Sequence, residues 1–554
     1  MVKMPGHNRL RLVLLGFVLC FAVIAGRAGQ LALLAPEVTQ TAGPAEVRIP
    51  RPDIVDRNGE VLATDIKVSS LYANPRKIID VDEAIELLTA VVPDMDTRVL
   101  RKKLTKDKAF VWLRREVSPV VRQAIHNQGI PGVDFRNETR RVYPKGRLAA
   151  HVLGFVDVDS RGLAGIEKFM DDQGALYTAA LTDPDKLSAL PAEVSLDVRV
   201  QHALASEIAG AVEHFKAKAG AGVVLNVNTG EVLALASLPD YNPNNPVDAQ
   251  KTVNLNRVTT GVFELGSVIK AVTFAMALDS GTSTLQSKYD ARYPLVIGRS
   301  RINDFHAQKR VLTVPEVFLH SSNIGTARMA LAVGLEGHKA FLERVGLFER
   351  MTTELPEAAA PLLPKRWTKI ASVTASFGHG FAVQPLQGIA VVAALVNGGR
   401  MISPTFLKRD PATVDGFANR IIKESTSRDM QHLFRLNALK GTARKAAQNA
   451  MGYRVGGKTG TAEKVINGRY SRNHRLTSFV GAFPMDAPKY AVLVMLDEPQ
   501  PVEGTYGYAT SGWNAVPTAG KVISRIAPLL GVAPKFTEEE LAKLAKRDAA
   551  VKRN

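Results

Sequence analysis

Three short polar motifs constrain this chain most, because none of them can act unless the fold brings it to the others. They are Ser267-Val268-Ile269-Lys270, then Ser321-Ser322-Asn323, then Lys458-Thr459-Gly460-Thr461. Each is weak alone: S-x-x-K arises about once per 400 positions at ordinary serine and lysine frequencies. Here Ser267 is the only serine with a lysine three places on, and K-T-G occurs once. A second S-x-N, Ser471 to Asn473, follows K-T-G in a polar stretch that reads as a hairpin loop, and it is set aside. The ordered set offers a nucleophile, an amine to activate it, and polar groups to hold a peptide with a free carboxylate. This chemistry requires no histidine, metal or cofactor, and none is expected.

The local sequence places each reacting group. Gly266 precedes Ser267, and residues 268–278 are apolar with helical character, ending near Gly281. Ser267 is therefore expected at a helix N-terminus, where the dipole favours developing negative charge. Lys270, three residues on, shares its face and can approach the hydroxyl. A neutral Lys270 is the candidate base, provided that burial and neighbouring cations lower its pKa. Ser321 can relay protons, and Asn323 can offer a donor and an acceptor to a substrate amide. Both also suit a helix N-cap. Residues 458–461 read as a strand with Gly456 and Gly457 before it, and glycines there suit close approach by a ligand. Lys458 adds a charge, and Thr459 and Thr461 add hydroxyls that suit a carboxylate, alongside Gly460. The backbone N–H groups of Ser267 and Thr461 are candidates for an oxyanion hole.

At 554 residues the chain is long for one core, so two folded domains are expected. Its net charge of +18 is compatible with anionic lipid or an anionic wall polymer. No zinc-finger spacing, aromatic RNA-binding motif or basic recognition helix points to nucleic acid. The single cysteine, Cys20, excludes an internal disulfide and sits in an uncharged run over 12–26, preceded by Lys3, Arg9 and Arg11. With 31–35 continuing the apolar character, a single membrane-spanning helix over 12–34 is expected, its N-terminus (1–11) cytoplasmic and the remainder outside. A cleaved signal peptide is the competing reading, but no convincing cleavage site follows.

Beyond a linker over 36–50, Asn58-Gly59 signals a hairpin. Residues 81–92 and 118–128 have helical spacing, while 149–170 mixes strand-like and turn-like pieces. Residues 200–215 read as an amphipathic helix, 221–237 as a hairpin, and 255–387 as mostly helical. Three β-rich runs follow at 455–465, 477–485 and 490–498. Helices between early and late strands imply one antiparallel sheet flanked by helices, an α+β class. The expected domains are 37–190, a non-catalytic pedestal, and 191–532, the catalytic domain. A charged tail over 533–554 follows.

At these motifs the chain resembles the class B penicillin-binding proteins of the septal, FtsI type. Residues 51–63 (RPDIVDRNGEVLA), 143–167 (YPKGRLAAHVLGFVDVDSRGLAGIE) and 377–387 (FGHGFAVQPLQ) also resemble stretches of that family. Pro52 stands where a glycine is usual, and Leu265 where a proline is usual; neither removes a reacting group. The resemblance implies D,D-transpeptidation of peptidoglycan. Ser267 would attack a stem peptide at its penultimate D-alanine, and an amine of a neighbouring stem would resolve the acyl-enzyme. It further implies acylation by β-lactams, partnership with the SEDS glycosyltransferase FtsW and other divisome proteins, and a catalytic domain in the periplasm, anchored to the inner membrane. The short remainder after the catalytic domain suggests a Gram-negative-like cell.

Two rival readings stay open. A serine β-lactamase or D,D-carboxypeptidase uses the same motifs, but no E-x-x-L-N positions a deacylating water. A catalytically silent division scaffold is disfavoured by the intact Ser267, Lys270, Asn323 and Lys458.

Overall fold

The Asn58-Gly59 turn closes a hairpin between β1 (Ile54–Val55) and the long β2 (Val61–Ala73). The buried Asp56 carboxylate holds this turn, accepting the backbone N–H groups of Asn58 (2.7 Å) and Glu60 (3.0 Å). It also accepts the N–H of Val198 at 3.0 Å, which ties the turn to the start of the helix Val198–His214. β3 (Val111–Val117) and β4 (Val133–Val142) pair antiparallel with β2, and β5 (Ala192–Glu193) pairs parallel with β1. The helices Val81–Val91, Thr97–Leu104 and Pro119–Asn127 bury Leu88, Leu100 and Ile125 against Leu71 and Leu113 of this sheet. The helices expected over 81–92 and 118–128 are present, Thr97–Leu104 is a further one, and each starts on a cap: Asp80, Asp96 and Ser118 accept N–H groups of the first turn, and Pro119 follows its cap.

This is a computed structural model, and it describes residues 15–27, 51–173, 191–466 and 468–542. They fall into two units, one before residue 50 and one from Pro50 onward. In the first, 15–27 is helical and its apolar side chains are exposed, Phe17 and Phe21 among them. Among the described residues no helix is long and apolar enough to cross a membrane. The expected span over 12–34 extends beyond the described residues, as do the 1–11 segment, the linker over 36–50 and most of the charged tail.

The chain from Val198 onward is built on a five-stranded antiparallel sheet in which the strands at 456–466, 469–483, 490–497, 219–226 and 232–238 lie in that order. β6 (Ala219–Asn226) and β7 (Val232–Leu238) form the early hairpin. β14 (Gly456–Ile466), β15 (Arg469–Phe483) and β16 (Tyr490–Asp497) supply the late strands. Alternate residues face opposite sides. Val224, Val492 and Val494 pack with the helices Val198–His214 and Ala515–Leu529. Val223, Leu225 and Leu493 pack on the other side with Phe274, Leu395 and Phe434, from the helices Lys270–Asp279, Pro385–Val396 and Glu424–Lys440. Burial of both faces explains why these strands read as nearly continuous apolar runs.

Three sequence expectations change. Residues 149–170 hold the helices Ala150–Leu153 and Gly165–Asp172, with only an isolated bridge, Val156 to Gly162, in place of strands. What orders this stretch is remote in sequence: Glu167, fully buried, bonds Arg51 at 2.8 Å and Arg141 at 2.6 Å. The region 255–387 is not helical throughout. It carries β8 (Lys288–Asp290), β9 (Leu295–Ile297), β10 (Ser300–Ile302) and β11 (Val311–Thr313), whose three-residue alternation is too short to show against a helical period. The short pair β12 (Arg400–Ile402) and β13 (Ala418–Arg420) lies after it. Finally, 471–473 belongs to β15 rather than to a loop, at a register shift between the pairs Glu463–Arg475 and Lys464–Ser471.

Candidate active site

The nucleophile turn is a single 3-10 turn, Gly266–Val268, that runs into the helix Lys270–Asp279. Ser267 therefore stands at a helix start, as expected, and is half-buried. Among the described residues neither its hydroxyl nor its backbone N–H has a hydrogen-bond partner. Two segments brace the turn. The Gly266 N–H donates to the Gly378 carbonyl at 3.2 Å. β14 passes on another side: a side chain at Gly460 would put its Cβ 2.5 Å from the Leu265 carbonyl and 2.3 Å from Ser478 Oγ. The glycine of K-T-G is thus required by strand-to-turn contact, whether or not a ligand is bound.

Ser321 occupies the corner between the helices Val314–Leu319 and Asn323–Val333, with φ of 53°. Left-handed backbone is uncommon for serine and concentrates at functional sites. Here it brings the hydroxyl and the carbonyl of Ser321 to the lysines. Lys270 Nζ donates to Ser321 Oγ at 3.0 Å and also to the Ser321 carbonyl. Lys458 Nζ donates to the same Oγ at 3.0 Å. Both lysines are fully buried, and Lys458 lies over the ring of Phe318. Burial drives the Lys270 amine well below the ordinary lysine range, the charge of Lys458 pushes it further, and Asp304 opposes. Burial likewise brings Lys458 down to about 7. An amine that can shed its proton near neutrality is what serine activation needs.

Asn323 is oriented through its side-chain N–H, which donates to the Asn303 carbonyl at 3.0 Å. The helix cap itself is Ser322, not Ser321 or Asn323. Its hydroxyl donates to Asp304 Oδ2 at 2.7 Å, and the other Asp304 oxygen takes the Ile324 N–H at 2.9 Å. Thr459 Oγ1 meets Thr442 Oγ1 at 2.9 Å, and Thr461 Oγ1 accepts the Ser511 N–H at 3.2 Å. Asn437, buried in the helix Glu424–Lys440, holds β14 by donating to the Gly457 carbonyl at 2.8 Å.

The structure thus joins Lys270, Ser321 and Lys458 directly. It sets Ser267 one turn before Lys270, and keeps Asn323 and Thr459 to Thr461 on the elements that carry these contacts. Sequence reasoning missed Asp304, Asn437 and Thr442. The helix and strand they support were legible, but nothing in their own neighbourhoods marks them.

A model of the penicillin-binding protein transpeptidase domain matches residues 220–522, and one of the penicillin-binding protein dimerisation domain matches 46–173. The chain is 40% identical to the probable peptidoglycan D,D-transpeptidase FtsI of Caulobacter vibrioides, over 95% of this chain and 89% of that protein. It is 33% identical to the probable peptidoglycan D,D-transpeptidase PenA of Neisseria meningitidis, over 96% and 94%. To the peptidoglycan D,D-transpeptidase FtsI of Escherichia coli it is 32% identical, over 93% and 91%. The chain belongs to the class B penicillin-binding proteins, with a dimerisation domain ahead of a transpeptidase domain. Within that class its activity is that of a peptidoglycan D,D-transpeptidase of the FtsI type.

Proposed function

We propose that this activity runs through an ester on Ser267. Lys270, as a neutral amine, takes the proton of the Ser267 hydroxyl while its oxygen attacks the carbonyl of the penultimate D-alanine. Ser321 Oγ, bonded to both lysines, passes a proton towards the leaving D-alanine amine. Lys458, Thr459 and Thr461 receive the terminal carboxylate, Gly460 keeps the strand close, and Asn323 aligns the peptide amide. The backbone N–H groups of Ser267 and Thr461 stabilise the oxyanion; one such donor is worth roughly 3 kcal/mol. The observation that carries this reading is the convergence of two buried lysines on one serine hydroxyl.

The donor and acceptor are peptidoglycan stem peptides, and β-lactams acylate the same serine. The reaction serves the division septum, with the SEDS glycosyltransferase FtsW and other divisome proteins as partners of the pedestal and anchor. The apolar segment over 12–34 is the single-pass anchor in the inner membrane, and the catalytic domain lies in the periplasm. Mass spectrometry of the intact protein after exposure to a fluorescent penicillin tests the central step. A long-lived adduct on Ser267, lost in Ser267→Ala, is expected. Rapid turnover of the drug would favour a β-lactamase, and septation by the Ser267→Ala protein would favour a silent scaffold.

A further inference from the structure

Beside the nucleophile lies a group of polar atoms with no part in the steps above. Glu264 stands three residues before Ser267. Its Oε1 accepts the Gly380 N–H at 2.9 Å and the Tyr470 hydroxyl at 3.0 Å. Its Oε2 is buried without a hydrogen-bond partner, and so is Nδ1 of His379. His379 sits between Gly378, whose carbonyl holds Gly266, and Gly380, and its ring meets Tyr470 edge-on at 5.8 Å. A free carboxylate oxygen and a free imidazole nitrogen therefore lie beneath one tyrosine, beside the turn that carries Ser267. Tyr470 is half exposed, on the arm of the β14–β15 hairpin, so this cover faces solvent.

Asp304, the carboxylate that acts on Lys270, has both oxygens engaged, by Ser322 and by the Ile324 N–H. Glu264 keeps one in reserve. Burial raises its pKa, while the Gly380 N–H and the Tyr470 hydroxyl favour the charged form. Burial and the charge of Lys270 hold His379 towards the neutral ring, with only the Phe377 carbonyl opposing. A buried acceptor without a donor is costly, and one carboxylate oxygen flanked by two aromatic rings suits a group rich in N–H donors and positively charged. In the reaction proposed above such a group has to arrive: the amine of the neighbouring stem enters as an ammonium.

We infer that Glu264, with the rings of His379 and Tyr470, forms the subsite that receives the cationic amine of the acceptor stem peptide. Tyr470 swings aside, the ammonium bonds Glu264 Oε2 and leaves it one proton, and the neutral nitrogen is then held next to the acylated Ser267, where it attacks the ester carbonyl while its second proton passes through Lys270 to the departing Ser267 oxygen. This rests on the Ser267 ester proposed above. A purely structural alternative exists, in which Glu264 only pins the 377–380 segment to the hairpin arm. Glu264→Gln separates the two, because its amide oxygen still accepts from Gly380 and Tyr470 while the negative charge is gone.

The test uses the full-length protein in detergent, a thioester donor ending in D-alanine, and D-alaninamide as the amine probe. In Glu264→Gln the acceptor KM is expected to rise about tenfold or more, the worth of one charge-assisted hydrogen bond. The ratio of aminolysed to hydrolysed product falls with it, while penicillin acylation of Ser267 falls much less. An unmoved KM and product ratio would leave only the pinning role and overturn the inference. So would aminolysis and acylation falling in parallel, since the carboxylate would then act on the nucleophile turn. Tyr470→Phe removes one competitor for Glu264 and is expected to lower the acceptor KM; an unchanged or raised value counts against the subsite. A parent protein that never acylates at Ser267 sinks both proposals, whereas normal acylation with an unmoved ratio in the variant sinks this one alone.

Discussion

Lys270 and Lys458 share one hydrogen-bond acceptor: each ammonium nitrogen lies 3.0 Å from Ser321 Oγ. Two buried cations on one neutral oxygen repel each other, and the pair lowers that energy by giving up protons. The hydroxyl between them then accepts from a charged lysine or donates to a neutral one, which is the behaviour a proton relay requires.

The first prediction concerns pH. Lys458 is brought down to about 7, and its charge helps depress Lys270. A base works only when unprotonated, so penicillin acylation should rise with pH through the neutral range. Lys458→Met removes the repelling charge, so the Lys270 pKa climbs and the rising limb of the profile moves to higher pH. Second-order acylation constants measured across about pH 5 to 10, the range in which these groups titrate, would reveal it. A limb that stays in place would mean that the two amines are not coupled.

A second prediction isolates the shared oxygen. Ser321→Ala deletes the relay but leaves the Ser321 carbonyl contact of Lys270 in place. Acylation should fall by about 10² to 10⁴, the range of a lost general acid–base group. The melting temperature is expected to change little by comparison. Near-normal acylation would exclude Ser321 from proton transfer.

Gly378 provides a mechanical test. Its φ is +82°, and a Cβ there would lie 2.1 Å from the Gly266 carbonyl. Gly378→Ala should cost about 1–3 kcal/mol from backbone strain alone. Because the clash is with the nucleophile turn, acylation should drop by about 10², as for a reacting group displaced by 1 Å. Thermal unfolding and stopped-flow acylation on the same sample check both parts.

The dimerisation domain offers a stability test away from the chemistry. Glu167 bridges Arg51 and Arg141, and all three side chains are buried. Glu167→Ala leaves two cations facing each other with only Asp65 and Asp171 as partners. Breaking a buried pair from one side costs about 3–5 kcal/mol. Urea unfolding of the variant should show that loss, and a change under about 1 kcal/mol would mean that the site readily rehydrates.

The sequence by itself determined what was local. Ser267 and Lys270 share a helical face because of their spacing, and the runs at 221–237, 455–465, 477–485 and 490–498 form strands because their apolar residues permit little else. Asn58-Gly59 makes its turn through backbone freedom carried by one residue. Tertiary structure alone decided the rest. Lys458 meets Ser321 across 137 residues of chain, and both lysines lose their water only because remote segments of the fold close over them. Glu264, Asp304 and His379 gain their significance in the same way. A carboxylate or imidazole on a sequence is a solvated surface group by default, and only the groups packed around it make it a partner, a brace or an open acceptor.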